Sequence, residues 1–156
     1  MPAPKPGERW GILGGAFDPV HNGHLALAQN IMFLRRQSGV FLVPTVDPPH
    51  RTQLPVASFD HRLAMARLAA DELDGIEVSD VEKTTPRPSY TLHTVRALRA
   101  RYPGVELELT IGADQLSQLK SWYLWETLLS EIKLLVGLRP GAPVGDLSAF
   151  PENCIQ

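Results

Sequence analysis

The feature that most constrains this chain is a glycine- and histidine-rich turn between an apolar stretch and an amphipathic one. The run Gly14-Gly15-Ala16-Phe17-Asp18-Pro19-Val20-His21-Asn22-Gly23-His24 directly follows the apolar residues 10–13 and directly precedes a helical pattern. A buried strand, a glycine turn and a helix N-terminus with free N–H groups together form an anion site. Two imidazoles, His21 and His24, add hydrogen-bond donors on the same side. The turn therefore predicts a site for the phosphates of a nucleotide.

Along the rest of the chain, segments of strand type alternate with segments of helix type. After the turn, Leu27, Ile31 and Leu34 share one side of a helical pattern, and Ser58 is a candidate N-cap for the next helix. The predicted strands are 10–13, 40–44, 76–79, 106–111 and 133–138, and the predicted helices are 24–36, 58–73, 91–101 and 122–132. The alternation predicts an α/β fold, a Rossmann-like doubly wound parallel sheet with helices on both faces.

Ligands of such sheets bind beyond the carboxyl ends of the strands, at the point where the strand order reverses. Two loops of this chain suit that place. One is the glycine and histidine turn after the first strand, and the other is Gly112-Ala113-Asp114 after the strand at 106–111. We expect these two loops to face each other across one crevice.

Composition limits the classes of function. The 156 residues are 44% hydrophobic and 21% charged, which predicts one globular domain. Nucleic acids and anionic membranes bind to a broad basic face of a protein. The net charge of −2 and the pI of about 6.2 do not indicate such a face, so neither kind of partner is predicted. The single cysteine, Cys154, excludes an internal disulfide and a cysteine metal cluster. With no apolar run of membrane-spanning length, these observations predict a cytoplasmic protein.

The turn matches neither of two common phosphate motifs, since it supplies neither G-x-G-x-x-G nor a Walker Gly-Lys-Ser/Thr. Its pattern, Gly-Gly-x-Phe-Asp-Pro-x-His-x-Gly-His, resembles the signature of the nucleotidyltransferase family. Further segments are similar to the nicotinate mononucleotide adenylyltransferases of that family. They are Pro48-Pro49-His50-Arg51, Ser89-Tyr90-Thr91-Leu92-His93-Thr94, Ile111-Gly112-Ala113-Asp114, Trp122-Tyr123 and Arg139-Pro140-Gly141. The resemblance spans residues 9–141 and implies the nucleotidyltransferase type of Rossmann-like fold.

The resemblance implies a reaction in which ATP and nicotinate mononucleotide give deamido-NAD and pyrophosphate, with Mg²⁺ accompanying ATP. It implies that His21 and His24 are catalytic, which suits a reaction that builds charge on phosphate oxygens. By the same resemblance, the ATP site comprises Gly14, Gly15, Ala16, Phe17, His21, His24, Gly112 and Asp114. The site for nicotinate mononucleotide comprises Arg51, Thr91, Trp122 and Tyr123. No metal site built from protein side chains is expected.

Each assignment has a purely structural alternative. The histidine pair also suits an N-terminal cap with solvated rings, or a zinc pair that lacks its other ligands. Asp114 also suits a cap of the helix that follows it. Trp122 suits stacking on a pyridinium ring or a place in the core, where Trp125 is expected. Arg51 suits a phosphate contact or a solvated loop, and Arg87 is expected at the surface.

The expected organisation is a flexible N-terminal arm over 1–8, a nucleotidyltransferase domain over 9–141 and an irregular tail over 142–156. Members of the family carry a late Ile-Ser-Ser-Thr-x-x-Arg segment that contacts the triphosphate, and nothing in this sequence matches it. We therefore expect a shortened chain or a diverged tail, with a weaker hold on ATP. The sequence leaves the oligomeric state open, and a homo-oligomer is compatible with it.

Two other functions stay open at this point. One is phosphopantetheine adenylyltransferase, whose usual length this chain approaches. That family generally carries Thr where His21 stands, and it lacks the Ser-Tyr-Thr and Trp122 signals. The other is a truncated chain that binds a nucleotide or a partner without turnover.

Overall fold

The computed structural model describes residues 3–48, 55–137 and 154–155. Its strands are β1 (Arg9–Gly15), β2 (Gly39–Pro44), β3 (Ile76–Val78), β4 (Glu106–Gly112), β5 (Lys133–Gly137) and β6 (Cys154–Ile155). Its helices are α1 (Asn22–Arg35), α2 (Phe59–Ala70), α3 (Thr91–Arg101), α4 (Ala113–Leu116) and α5 (Trp125–Glu131), with 3-10 turns at Val81–Lys83 and Leu119–Ser121. Within these described ranges, no helix combines the length and apolar character needed to cross a membrane.

The six strands form one parallel sheet in the order β3-β2-β1-β4-β5-β6. Successive strands run outward from β1 in one direction and from β4 in the other, so the strand order reverses between β1 and β4. In the register of these two strands, Ile12 lies beside Leu109 and Leu13 lies beside Thr110. The carboxyl ends of β1 and β4 are therefore neighbours, as the Rossmann-like prediction requires.

Each face of the sheet carries its own apolar core, because successive strand residues point to opposite faces. On one face, Trp10 and Ile12 of β1 pack in the core that includes residues of α3 and α5. On the other face, Leu13 packs with Ala28 of α1 and Ala70 of α2. The prediction of helices on both faces is confirmed.

The helix ends follow from local chemistry. Ser58 caps α2, since its hydroxyl oxygen accepts a hydrogen bond from the backbone N–H of His61 at 3.2 Å, which confirms the predicted cap. Helix α1 begins two residues earlier than predicted, because His21 serves as its N-cap. Helix α5 begins three residues later than predicted, because Leu124 adopts a left-handed φ of 49° that a continuous helix excludes.

The polar residues of β4 are not all solvated. Glu108 is fully buried, and its carboxylate accepts hydrogen bonds from Arg35 at 2.6 Å and from Gln37 at 2.9 Å. Burial acts to raise the pKa of Glu108, but the bonds from Arg35 and Gln37 outweigh it and hold the pKa below its ordinary value. This buried ion pair ties the end of α1 to the middle of the sheet.

Both ends of the chain make contacts that the sequence did not indicate. In the expected arm, the Gly7 N–H donates to the carbonyl of Gly104 at 2.9 Å. In the expected irregular tail, residues 154–155 pair with β5 as a sixth strand. Two residues are too few to show a period, so no pattern could predict this strand. The rest of the tail lies outside the described residues.

Candidate active site

Strand β1 and helix α1 meet at the glycine and histidine turn. Gly14 and Gly15 end β1, and His21 is the N-cap of α1. Nδ1 of His21 accepts a hydrogen bond from the backbone N–H of Gly23 at 3.1 Å, and Nδ1 of His24 accepts one from the backbone N–H of His21 at 3.1 Å. Both histidines therefore cap α1, as the structural alternative predicted, and these bonds use one nitrogen of each ring.

The cap determines where each neutral imidazole carries its proton. Because Nδ1 accepts a hydrogen bond, the hydrogen lies on Nε2, which remains an N–H donor. The two rings stack with their centroids 3.7 Å apart. Burial lowers the pKa of His24, and the charge of His21 lowers it further. His24 is therefore a neutral donor at neutral pH, and it sits at a helix N-terminus that favours an anion.

Asp18, inside the turn, ties it to the segment before α2. Its carboxylate accepts hydrogen bonds from the backbone N–H of Val56 at 2.6 Å and of Ala57 at 3.1 Å. The preceding residue, Phe17, has a left-handed φ of 50°, and its ring is buried in the core and perpendicular to the ring of His24, with the centroids 4.9 Å apart. A nucleotide at this turn would therefore meet the backbone of Phe17 and not its ring.

Arg62 is a second brace, which the sequence patterns did not predict. It is 2% exposed and donates to the carbonyls of Ala16 at 2.8 Å, of Thr45 at 2.7 Å and of Ala57 at 3.1 Å. One guanidinium thus joins the glycine turn, the loop after β2 and the start of α2. The available signal was its spacing, since Arg62 precedes Ala66 by four residues and shares its face of α2.

A cavity of about 210 Å³ opens beside the glycine turn. Residues of that turn, of the loop after β2, of the segment 82–95 and of the segment before α5 line it. The predicted site residues that share this lining are Gly14, Gly15, Ala16, Thr91, Trp122 and Tyr123. The other described candidates, which are outside the lining, are Phe17, His21, His24, Gly112 and Asp114. Residues predicted for ATP and residues predicted for the acceptor therefore meet in one cavity.

Aromatic residues provide part of the cavity wall. Trp122 lines the cavity and also packs against the core, so both of its predicted roles are compatible with its position. Trp125 packs against the same core, as expected. The ring of Tyr123 stacks on that of Tyr90 with centroids 4.4 Å apart. Thr91 is the first residue of α3, so it lies where the helix dipole favours an anion such as a carboxylate.

Glu82 is a buried carboxylate in the same lining, and the sequence patterns did not predict it. One carboxylate oxygen accepts a hydrogen bond from the backbone N–H of Val46 at 3.1 Å, and the other accepts one from the Thr94 hydroxyl at 2.8 Å. Burial raises the pKa of Glu82, although hydrogen bonds from Thr94, Val46 and Ser89 and the charge of Arg87 act to lower it. Its partners lie 36 and 12 residues away, so no local pattern marks this site.

The loop after β2 is joined to the segment before α3 by further hydrogen bonds. The backbone N–H of Asp47 donates to the Ser89 hydroxyl oxygen, and the backbone N–H of Ser89 donates to the carbonyl of Asp47, both at 2.9 Å. Arg87 is exposed, as expected, but its guanidinium donates to the carbonyls of Glu82 at 3.0 Å and of Thr85 at 2.8 Å. This surface arginine therefore braces the segment that carries Glu82.

The second predicted loop follows β4. Gly112, and not Asp114, is the N-cap of α4, and its N–H donates to the side-chain oxygen of Gln115 at 3.0 Å. The prediction of Asp114 as the cap is therefore wrong, because this exposed residue lies inside the first turn of the helix. Arg51 lies in the segment 49–54, outside the described residues, as does the Arg139-Pro140-Gly141 segment.

Comparison with known proteins identifies a family and similar sequences for this chain. The sequence model of the family described as Cytidylyltransferase-like matches residues 12–155. A protein of Symbiobacterium thermophilum named "Probable nicotinate-nucleotide adenylyltransferase" is 43% identical over 133 residues, which are 85% of this chain and 64% of that protein. A Geobacter sulfurreducens protein of the same name is 40% identical over 139 residues, 89% of this chain and 64% of that protein.

Solved structures share the fold. The structure of Plasmodium falciparum nicotinic acid mononucleotide adenylyltransferase complexed with NaAD matches with a TM-score of 0.78 at 19% identity, over 96% of this chain and 73% of that one. This chain spans 64% of the length of the two curated relatives. It belongs to the cytidylyltransferase-like family and is similar, within it, to the nicotinate-nucleotide adenylyltransferases, as the motif resemblance predicted.

Proposed function

We propose that this chain transfers the adenylyl group of ATP to nicotinate mononucleotide, giving deamido-NAD and pyrophosphate in NAD biosynthesis. The observation that carries the proposal is the shared cavity, in which the glycine turn of β1 and the cluster of Thr91, Trp122 and Tyr123 line one space. A turn that suits phosphates and an aromatic wall beside a helix N-terminus are what the two substrates require. The relatives named for this reaction support the same choice.

On the ATP side, the backbone N–H groups of 14–17 approach the phosphates, because glycines leave the turn unobstructed. His21 and His24 donate from Nε2 to the phosphate oxygens on which charge builds during in-line attack. A phosphate oxygen of the acceptor forms the new bond to the α-phosphorus, and pyrophosphate leaves with the electrons of the broken bond. Asp114, with Gly112 at the adjacent end of β4, accepts hydrogen bonds from the ribose hydroxyls.

On the acceptor side, Trp122 stacks on the pyridinium ring, whose positive charge is attracted to the indole face. Thr91 and the backbone of Tyr123 hold the carboxylate of the nicotinate at the start of α3. Arg51 binds a nucleotide phosphate with its planar fork of donors. The acceptor phosphate then lies between the aromatic wall and the glycine turn, where it meets the α-phosphorus.

Mg²⁺ enters this scheme with ATP. In the described part of the chain, no group of three or more histidine, cysteine, aspartate or glutamate side chains is placed to hold a metal ion. Mg²⁺ usually keeps several waters and binds substrate phosphates, so it needs no cage of side chains. The N–H donors of the turn suit phosphate oxygens, which fits an ion carried by the substrate. When bound, the ion neutralises charge on those oxygens.

The reaction is tested by measuring pyrophosphate release in a coupled assay. The chain is supplied with ATP, Mg²⁺ and one of three acceptors: nicotinate mononucleotide, nicotinamide mononucleotide or phosphopantetheine. We expect the highest kcat/KM with nicotinate mononucleotide. Faster turnover with phosphopantetheine would contradict the proposed acceptor. ATP binding in calorimetry without release from any acceptor would identify a nucleotide-binding chain that lacks turnover.

The role of His24 is separable from its cap. His24→Ala removes both nitrogens, whereas His24→Asn keeps an acceptor at the position of Nδ1 and removes the Nε2 donor. We expect both to lower kcat by about 100-fold or more, while only the alanine variant loses the cap and about 0.5–2 kcal/mol of stability. The control is His61→Ala, which removes an exposed imidazole at the start of α2. Unchanged turnover in His24→Asn would refute the assignment.

A further inference from the structure

The proposed reaction leaves one buried charge in the cavity without a role. Glu82 is 5% exposed and lines the same cavity as Thr91 and Trp122. A buried carboxylate is strongly destabilising unless its oxygens are hydrogen-bonded. Both oxygens of Glu82 are hydrogen-bonded, and the donors at 3.1 Å and 2.8 Å, Val46 and Thr94, belong to different structural elements. The Ser89 side chain is a further hydrogen-bond partner of this carboxylate. Glu82 therefore joins those elements at the cavity wall.

The first donor is the backbone N–H of Val46, 3.1 Å away, in the loop that leaves β2. The next residue of that loop, Asp47, makes the reciprocal pair with Ser89. The second donor is the hydroxyl of Thr94, 2.8 Å away, in α3. Thr94 stands three residues after Thr91, so the two lie on the same side of the first turn of the helix. One carboxylate thus links the loop after β2 to the helix turn that presents Thr91.

We propose that Glu82 is the positioning residue for the acceptor half of the cavity, holding the loop after β2 and the first turn of α3 at the spacing that the mononucleotide requires. The inference rests on the proposed function. The glycine turn, which serves the ATP half, is held by other contacts, those of Asp18 and Arg62. Loss of Glu82 therefore weakens acceptor binding and leaves ATP binding nearly unchanged.

Glutamine at this position separates the hydrogen bonds from the charge. Its amide oxygen accepts from Val46, and its NH₂ group donates to the Thr94 oxygen. The Thr94 hydroxyl then donates to the carbonyl of Tyr90, which already lies 3.4 Å away. Glu82→Gln therefore keeps both links without the charge, whereas Glu82→Ala breaks both.

The test is steady-state kinetics of the wild type, Glu82→Ala and Glu82→Gln, with the KM of each substrate measured at saturation of the other. We expect Glu82→Ala to raise the acceptor KM about tenfold, because the Val46 N–H and the Thr94 hydroxyl lose their partner. We expect the KM for ATP to stay within about twofold, and Glu82→Gln to restore the acceptor KM to within about threefold of the wild type. The matched control is Glu77→Ala on β3. Burial also raises the pKa of the Glu77 carboxylate, but this side chain lines a separate groove. Both KM values should be unchanged in this variant.

Three results would overturn the inference: an equal rise of both KM values in Glu82→Ala, a change confined to kcat, or a glutamine variant as impaired as the alanine variant. If Glu82→Ala does not fold, Thr94→Val breaks the same link from the helix side with the side-chain volume kept. An unchanged acceptor KM in that variant likewise overturns the inference. A wild type that releases no pyrophosphate with nicotinate mononucleotide is instead a failure of the proposed function.

Discussion

Replacement of Arg35 by methionine measures what the buried ion pair of the sheet contributes to stability. The side chain of Arg35 is 25% exposed, and that of Glu108 is 0% exposed, with 2.6 Å between the charged groups. Methionine keeps the apolar stem but leaves the carboxylate with Gln37 at 2.9 Å and Arg9 at 3.8 Å. Removing one partner of a buried pair costs about 3–5 kcal/mol. Because Arg35 is partly exposed, and both the Gln37 donor and the charge of Arg9 remain, we expect a loss of about 3 kcal/mol at neutral pH.

This loss should shrink at acidic pH. In the wild type, burial acts to raise the pKa of Glu108, but the bonds from Arg35 and Gln37 hold it below its ordinary value of 4.5. The pair therefore stabilises the fold above pH 4.5, and this contribution disappears as the pH falls through the folded-state pKa. In Arg35→Met, burial prevails, so Glu108 takes up a proton at higher pH and the buried charge is removed. The two proteins converge in stability as the pH falls.

Urea unfolding of both proteins, at neutral pH and at a pH below the ordinary carboxyl pKa, measures the difference directly. The control is Arg36→Met, the same change at the adjacent and exposed position, which should alter the unfolding free energy by less than about 0.5 kcal/mol. A loss below about 1 kcal/mol in Arg35→Met at neutral pH would place the pair among ordinary surface ion pairs. A loss that is the same at both pH values would refute the assigned role of the Glu108 charge.

Three further predictions concern single residues. NMR titration should place the pKa of His24 below its ordinary 6.5, because burial and the neighbouring imidazole lower it, and a value above 6.5 would contradict the geometry. Gly39→Ala should lower the unfolding free energy by about 1–3 kcal/mol, since its Cβ would lie 2.4 Å from the ring of Trp10. Gly112→Ala, with nothing within 4 Å of its Cβ, should be nearly neutral, and equal losses would refute the packing argument. Trp122→Ala should raise the acceptor KM about tenfold and Trp122→Phe much less; identical effects would exclude stacking.

The glycine and histidine turn could be predicted from the sequence because contiguous residues build it. Strand, glycines and capping histidines follow one another between Trp10 and His24, so their chemistry and spacing are visible in one segment. The first five strands of the sheet could be predicted for a related reason, since each of them, like each of the longer helices, is visible as a local hydrophobic pattern. The start of α5 could not, because the left-handed backbone of Leu124 leaves no mark in a hydrophobic pattern.

The two buried braces beside the cavity, Glu82 and Arg62, could not be predicted, because their partners are distant in sequence. Glu82 meets Val46 across 36 residues, and Arg62 meets Ala16 across 46. From the sequence pattern, a charged residue next to the apolar stripe of a helix is predicted to be exposed to solvent. Only the tertiary structure shows its buried partner. Glu108 gives the same lesson within a strand, where alternation alone suggests a solvated polar face although the residue is fully buried.

The two buried charged residues beside the cavity, Arg62 and Glu82, hold different sets of structural elements. Where the chain leaves β2, Arg62 donates to the carbonyl of Thr45 at 2.7 Å, and the N–H of Val46 donates to Glu82 at 3.1 Å, so consecutive residues are held by opposite charges. Arg62 also holds the carbonyl of Ala16 in the glycine turn. Loss of Arg62 should therefore impair both halves, and Arg62→Met should raise the KM of ATP and of the acceptor together. A rise in the acceptor KM alone in Arg62→Met would show that the glycine turn keeps its shape without this brace.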